Sequence, residues 1–177
     1  GEDIDGASPT PKVLTLKPVS VVNFISIDVQ VALGSGEQSK YDVGDFIELY
    51  VKKDAGAEEL VGAFYGYDFL GGDGTNGRMY HDENLNGSVS DDSQVNILSK
   101  SMSDYTFPIT GTFTSIQVIV KMTTNSGDEV LMVDNVRIRG NSASTPTMIA
   151  APSNISGLDY ELGSGPSTSQ SIVISGS

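Results

Sequence analysis

Three features of the sequence predict an all-β chain folded as an antiparallel β-sandwich. Apolar and polar residues alternate over several short runs, turns rich in glycine, asparagine and aspartate separate them, and no helical period appears anywhere in the 177 residues. Val13 to Leu16 reads as a short first strand that Pro18 interrupts, since proline gives a ladder no N–H donor. From Phe24 to Leu33 the alternation is clean: Ile25, Ile27, Val29, Val31 and Leu33 share a face opposite Ser26, Asp28 and Gln30. After a polar loop, Tyr41 to Val51 is the next strand, turned at Lys53–Gly56 and returned by Glu59 to Tyr65 as a hairpin. Residues 66–96 form a long irregular insertion carrying two Asn-Gly turn signals, Asn76-Gly77 and Asn86-Gly87. Tyr105 to Ile109 is a short strand that Pro108 places at an edge or bulge, and Ile116, Val118, Val120 and Met122 line one face of another.

The last strand, after the turn at Asn125–Glu129, poses a question of chemistry. Val130, Met132, Asp134, Val136 and Ile138 share one parity, opposite Leu131, Val133, Asn135, Arg137 and Arg139. If the first set faces the core, Asp134 is a carboxylate among apolar neighbours, which requires a cation, several N–H donors or a local bulge. Asp45 repeats the pattern, sharing its parity with Val43, Ile47, Leu49 and Val51. Calcium takes six to eight oxygens from carboxylates, carbonyls and water, which loops at strand ends supply. The expected ligands are therefore Asp45, Asp134 and the acidic opening with Glu2, Asp3 and Asp5. The competing expectation is that Asp134 caps turn N–H groups and Asp45 pairs with an arginine.

Composition narrows the partners. Ten Lys and Arg against 23 Asp and Glu give a formal net charge of −13, which argues against nucleic acid and anionic membrane surfaces and suits divalent cations or neutral glycans. The absence of cysteine excludes a disulfide framework and a cysteine-based zinc site. No apolar run approaches the roughly 18 residues of a membrane helix, so no membrane insertion is expected. The abrupt acidic start leads us to expect a piece of a longer secreted polypeptide. Residues 1–140 are expected to form the sandwich, 141–153 a Ser/Thr/Pro linker, and 154–177 the start of a second β domain or a spare strand at Gln170–Gly176.

Several short motifs carry a resemblance. Gly-Glu-Asp-Ile-Asp-Gly at 1–6, Tyr-Asp-Val-Gly-Asp-Phe-Ile at 41–47, Asp-Glu-Asn-Leu-Asn-Gly at 82–87, Asn-Ser-Gly-Asp-Glu at 125–129 and Val-Asp-Asn-Val-Arg-Ile at 133–138 resemble a jelly-roll β-sandwich module of large secreted proteins from marine and gliding bacteria. The stretch 153–167 resembles the opening of an Ig-like repeat found in the same proteins. The resemblance implies a non-catalytic accessory module, secreted or on the cell surface, similar to carbohydrate-binding jelly rolls with a structural calcium. Carried onto this chain, it makes Asp134 a ligand with Glu2, Asp3 or Asp5 contributing. The chain departs from that pattern in lacking a strand before Gly1 and any tryptophan.

Two further sites and three functions follow. Asp82, Asn84 and Asn86, with Gly87 permitting the sharp turn, match the first half of an EF-hand-type calcium loop, but Ser93 stands where the closing acid belongs. A plain loop of Asx turns is the alternative. Tyr65, Tyr67, Phe69 and Tyr80 gather around the insertion; Tyr67 and Tyr80 are the pair expected to be exposed and to stack on sugar rings. The first function is therefore a calcium-stabilised module that binds glycan or cell-surface polysaccharide, or mediates adhesion, beside neighbouring domains of a larger polypeptide. The second is a structural module that spaces domains or pairs strands between chains. The third is a hydrolase, against which stands the single histidine, His81, in an acidic loop with no evident nucleophile.

Overall fold

The computed structural model describes residues 10–37, 39–71, 76–142, 148–151, 156, 160–163, 165–166 and 169–176. The chain forms two compact units, Gly1–Asn141 and Ser142–Ser177, and no described residue is helical. The first unit is an antiparallel β-sandwich. Its strands are β1 (Lys12–Thr15), β2 (Val19–Ser20), β3 (Phe24–Gly34), β4 (Phe46–Lys53), β5 (Glu58–Tyr67), β6 (Arg78–His81), β7 (Ser103–Pro108), β8 (Ser115–Thr123) and β9 (Met132–Ser142). One sheet runs β1-β8-β4-β5-β6, with β2 also on β8; the other runs β7-β3-β9.

The alternation explains the packing. Val29, Val31 and Leu33 of β3, Ile47, Leu49 and Val51 of β4, and Ile116, Val118, Val120 and Met122 of β8 are buried in one core joining both sheets. Pro18 lies in the gap between β1 and β2, and Leu16 bridges it, giving its N–H to the Val118 carbonyl at 3.0 Å. Pro108 ends β7, an outer strand of the smaller sheet. Phe107 reaches across to β5, where Gly62 leaves room: a Cβ there would stand 2.2 Å from its ring.

Three boundaries differ from those read in the sequence. Tyr41–Asp45 is a turn rather than strand, with Gly44 at φ 119 and the Asp45 N–H on the Asp42 carbonyl at 3.1 Å. The insertion contains β6, which pairs with β5 as Tyr65↔Tyr80 and Tyr67↔Arg78. Inside the expected linker lies a strand, β10 (Met148–Ala151), which pairs with β13 (Val173–Gly176) in the second unit; β11 (Tyr160–Glu161) pairs there with β12 (Gly165–Pro166).

The last strand carries the main correction. Leu131 and Val133 are buried, and farther along Val136 and Ile138 pack on the same core, so the inward parity changes between them. The change falls at Asn135, whose left-handed backbone (φ 52) makes a bulge that leaves Asp134 and Asn135 both exposed. Asparagine tolerates that conformation, whereas β-branched side chains do not. Asn135→Val is accordingly expected to lower stability by roughly 1–3 kcal/mol, and Asn135→Gly to leave it within about 1 kcal/mol. Equal urea midpoints for the two variants would refute a bulge that depends on the left-handed residue.

Candidate functional site

Two carboxylates are buried together at one end of the sandwich. Asp45 is 0 % exposed at the start of β4, and Glu129 is 2 % exposed in the turn between β8 and β9. Both accept the same N–H, that of Asn125, at 2.9 Å on Asp45 Oδ1 and 3.1 Å on Glu129 Oε2. Asp45 Oδ2 takes the Asp42 N–H at 2.8 Å, and Glu129 Oε2 also takes the Ser126 N–H at 2.8 Å. Beside them, buried Tyr41 donates its hydroxyl to the carbonyls of Val130 (2.7 Å) and Ser35. Burial and the facing Glu129 charge push the Asp45 carboxyl up to about 7; burial likewise raises that of Glu129. Burial also lifts the Tyr41 hydroxyl to about 12, keeping it a donor at any ordinary pH.

Sequence reasoning found Asp45 and missed Glu129, because a turn residue has no parity to betray its burial. The expected core-facing position of Asp134 is corrected: it is exposed, and its Oδ1 accepts the N–H of its own neighbour Asn135 at 2.7 Å. The pairing of Asp45 with an arginine is corrected as well; main-chain N–H groups satisfy it. Glu2, Asp3 and Asp5 lie outside the described residues. Among the described residues, no group of three or more His, Asp or Glu side chains assembles as a ligand set.

The loop after β6 closes on itself by Asx turns. Asp82 is buried, its Oδ1 accepting the Asn86 N–H at 3.2 Å and its Oδ2 the Gly87 N–H at 2.8 Å. Asn84 Oδ1 accepts from Asn86 N–H (3.0 Å) and Asn86 Oδ1 from Ser88 N–H (2.8 Å), while both side-chain amides donate to Asp91. Leu85 and Gly87 take left-handed conformations to make the bends. The side-chain oxygens proposed for a metal thus hold main-chain N–H groups.

The expected aromatic platform is packed rather than open. Tyr80 is 8 % exposed, which corrects its assignment as an exposed stacking residue. Phe69 covers it edge-on at 4.8 Å and also meets half-buried Tyr67 at 4.7 Å. Tyr65 and Tyr50 turn their hydroxyls to Glu48 at 2.8 and 2.9 Å.

A groove that the sequence did not announce opens elsewhere. It has a volume of about 630 Å³, within the range of ligand sites. Val61 and Phe64 of β5, His81 at the end of β6, and Tyr105 to Pro108 of β7 line it together with residues 82, 83, 85 and 95–97. His81 rests against the Phe64 ring at 5.1 Å. Leu85 and Val95 stand at its rim, Val95 79 % exposed. Comparison with family models, with curated proteins and with solved structures gave no match.

The acid pair sets a pH dependence. In the folded, metal-free protein Asp45 keeps a proton up to about pH 7, whereas in the unfolded chain it loses it near 3.8. Between those values the folded state binds the extra proton, so stability falls as pH rises, by at most about 4 kcal/mol. In EDTA the melting temperature is expected to fall from pH 5 to pH 8, and the slope to flatten in Asp45→Asn. Identical slopes for the two proteins would show that Asp45 is charged throughout.

Proposed function

We propose that the chain is a non-catalytic, calcium-stabilised module of a secreted or cell-surface protein, of the jelly-roll kind, and that it acts in adhesion by gripping a partner in the groove beside β7. The observation that carries this reading is the groove itself, lined by Val61, Leu85, Val95 and Ile97 together with Phe64, Tyr105 and Phe107. A concave site of this volume, with a mainly apolar lining and a few polar groups, is the ordinary setting for ligand and partner binding. The glycan reading in its first form loses Tyr80, and Tyr67 alone makes a poor platform for a sugar chain.

The calcium of this reading would sit at Asp45 and Glu129, displacing main-chain N–H groups that now hold three of their four carboxyl oxygens. Two carboxylates buried side by side are costly to ionise together: burial raises both and the Glu129 charge raises Asp45 further, while a hydrogen bond from Asp45 lowers Glu129, and a divalent cation would neutralise the pair more completely than one shared proton. Asp45 and Glu129 are the residues that would hold it, and the ion would supply charge neutralisation and cross-linking of the two turns. At pH 8, calcium at a hundredfold excess over its Kd is expected to add about 2.7 kcal/mol to stability, and Glu129→Gln to abolish the gain. Equal melting temperatures in calcium and EDTA would remove calcium from the proposal.

The adhesive reading has its own test. Beads coated with the full chain should be retained on surfaces bearing the partner, and Val61→Trp, which fills the groove, should cut retention at least tenfold with an unchanged melting temperature. Retention indifferent to Val61→Trp would place adhesion elsewhere or nowhere on this module.

A further inference from the structure

The groove runs along an unpaired sheet edge, and that edge names its occupant. Ile109 gives its N–H to the Ile27 carbonyl at 2.9 Å, and the register continues Pro108↔Asp28, Phe107↔Val29, Thr106↔Gln30 and Tyr105↔Val31. In an antiparallel pair the main-chain groups of successive residues turn alternately toward and away from the partner strand. Those of Phe107 and Tyr105 therefore face β3, and those of Thr106, with the Pro108 carbonyl, face the groove. Among the described residues, none hydrogen-bonds the Thr106 N–H or carbonyl from the side away from β3.

The other side of the groove is already closed by strand-like pairing. Asn96 takes the His81 N–H on its carbonyl at 2.8 Å, Leu98 gives its N–H to the Met79 carbonyl at 2.8 Å, and Ile97 bridges Tyr80. Segment 96–98 thus finishes the larger sheet, and β7 leaves the smaller sheet unfinished on the same flank. Tyr105 to Pro108 offers an edge of about 13 Å, enough for four extended residues. Alternate side chains of such a segment would meet Val61, Phe64, Leu85 and Val95.

Charge selects among segments. The lining carries Asp82 and Glu83 and no lysine or arginine. Glu83 is exposed and takes a hydrogen bond from the Asn96 amide at the rim. A second copy of the chain, with formal net charge −13, is repelled.

We propose that the groove binds an extended polypeptide segment of another protein, which adds to β7 as a further strand and whose inward, alternate side chains are aliphatic except for one basic residue that meets Glu83 at the rim. The proposal rests on the groove being the partner site. Strand addition draws affinity from main-chain hydrogen bonds and specificity from the pockets for alternate side chains. Pro108, with no N–H to offer, ends the ladder and fixes where the segment stops.

The test uses the full chain and the blocked lysine peptide Val-Thr-Val-Thr-Lys-Thr, with the glutamate peptide Val-Thr-Val-Thr-Glu-Thr as control. Exchange of the Thr106 amide, followed by NMR, is expected to slow at least tenfold with the lysine peptide and to stay unchanged with the glutamate peptide. Thr106→Pro removes the edge donor without touching the ladder to β3 and is expected to abolish binding; Glu83→Lys is expected to weaken it tenfold. An unprotected Thr106 amide under saturating peptide, or full binding by Thr106→Pro, overturns strand addition. Binding of cello- or chito-oligosaccharides in the groove in place of the peptide also overturns it, while leaving the groove as the partner site. If Val61→Trp has no effect on any ligand, the groove reading falls with it.

Discussion

Two acids share the end of the sandwich, and the rest of that end is arranged around the cost of keeping them there. A buried carboxylate without partners costs several kcal/mol or gives up its charge. The chain meets part of the cost with main-chain donors, as Asp42, Asn125 and Ser126 turn N–H groups onto Asp45 and Glu129, and the rest by leaving Asp45 protonated up to about pH 7. Those donors point inward because residues 42–45 and 125–129 are tight turns. The same turns carry the chain into β4 and β9, so the acids fix how two core strands begin. Tyr41 extends the arrangement, holding the 35 and 130 carbonyls from a position with no solvent exposure. Glycine permits the close approach at its back: a Cβ on Gly77 would stand 1.7 Å from the Tyr41 carbonyl oxygen.

A disulfide-free sandwich can use such a latch where others use a covalent tie. The hydrophobic core holds the sheets together but is indifferent to small sliding at their ends. Hydrogen bonds to buried charge are directional, and each becomes costly if its partner shifts. Sliding of the two turns would therefore strip donors from buried carboxyl oxygens. The surface ion pairs, such as Lys40–Asp128 and Lys100–Glu37, are exposed and screened, and contribute little by comparison.

How far the sequence disclosed this depends on which physical rule was at work. Strands β3, β4, β5 and β8 were legible because one face of each is buried and a period of two records that directly. Asp45 was legible for the same reason: it shares parity with Ile47 and Leu49. Glu129 was not, since it lies in a turn, where burial follows from the path of the chain. Asp134 misled because a bulge at Asn135 resets parity, and one residue in the left-handed region leaves no mark on an apolar pattern. Strand β6 is four residues long, too short for alternation to stand out between two Asn-Gly signals. Tyr80 was misjudged because its cover, Phe69, comes from a loop.

The groove was invisible for a different reason, and that reason bears on what it can do. Its walls come from residues 61–64, 81–85, 95–97 and 105–108, four stretches that meet only because the two sheets end on the same flank. One sheet finishes with segment 96–98 and the other stops at β7, so the sandwich is closed at its acid-latched end and open along this side. An open edge ordinarily invites promiscuous pairing, and proteins blunt it with proline, charge or cover. Here Pro108 shortens the edge, and Glu83, held by Asn96 at the rim, guards it with negative charge. Neither device covers Thr106, and the apolar floor beneath remains accessible. An edge defended against like charge at its margin but left bare at its centre discriminates between partners. That combination restricts pairing to a few residues and one sign of charge, which separates a recognition edge from an aggregation-prone one.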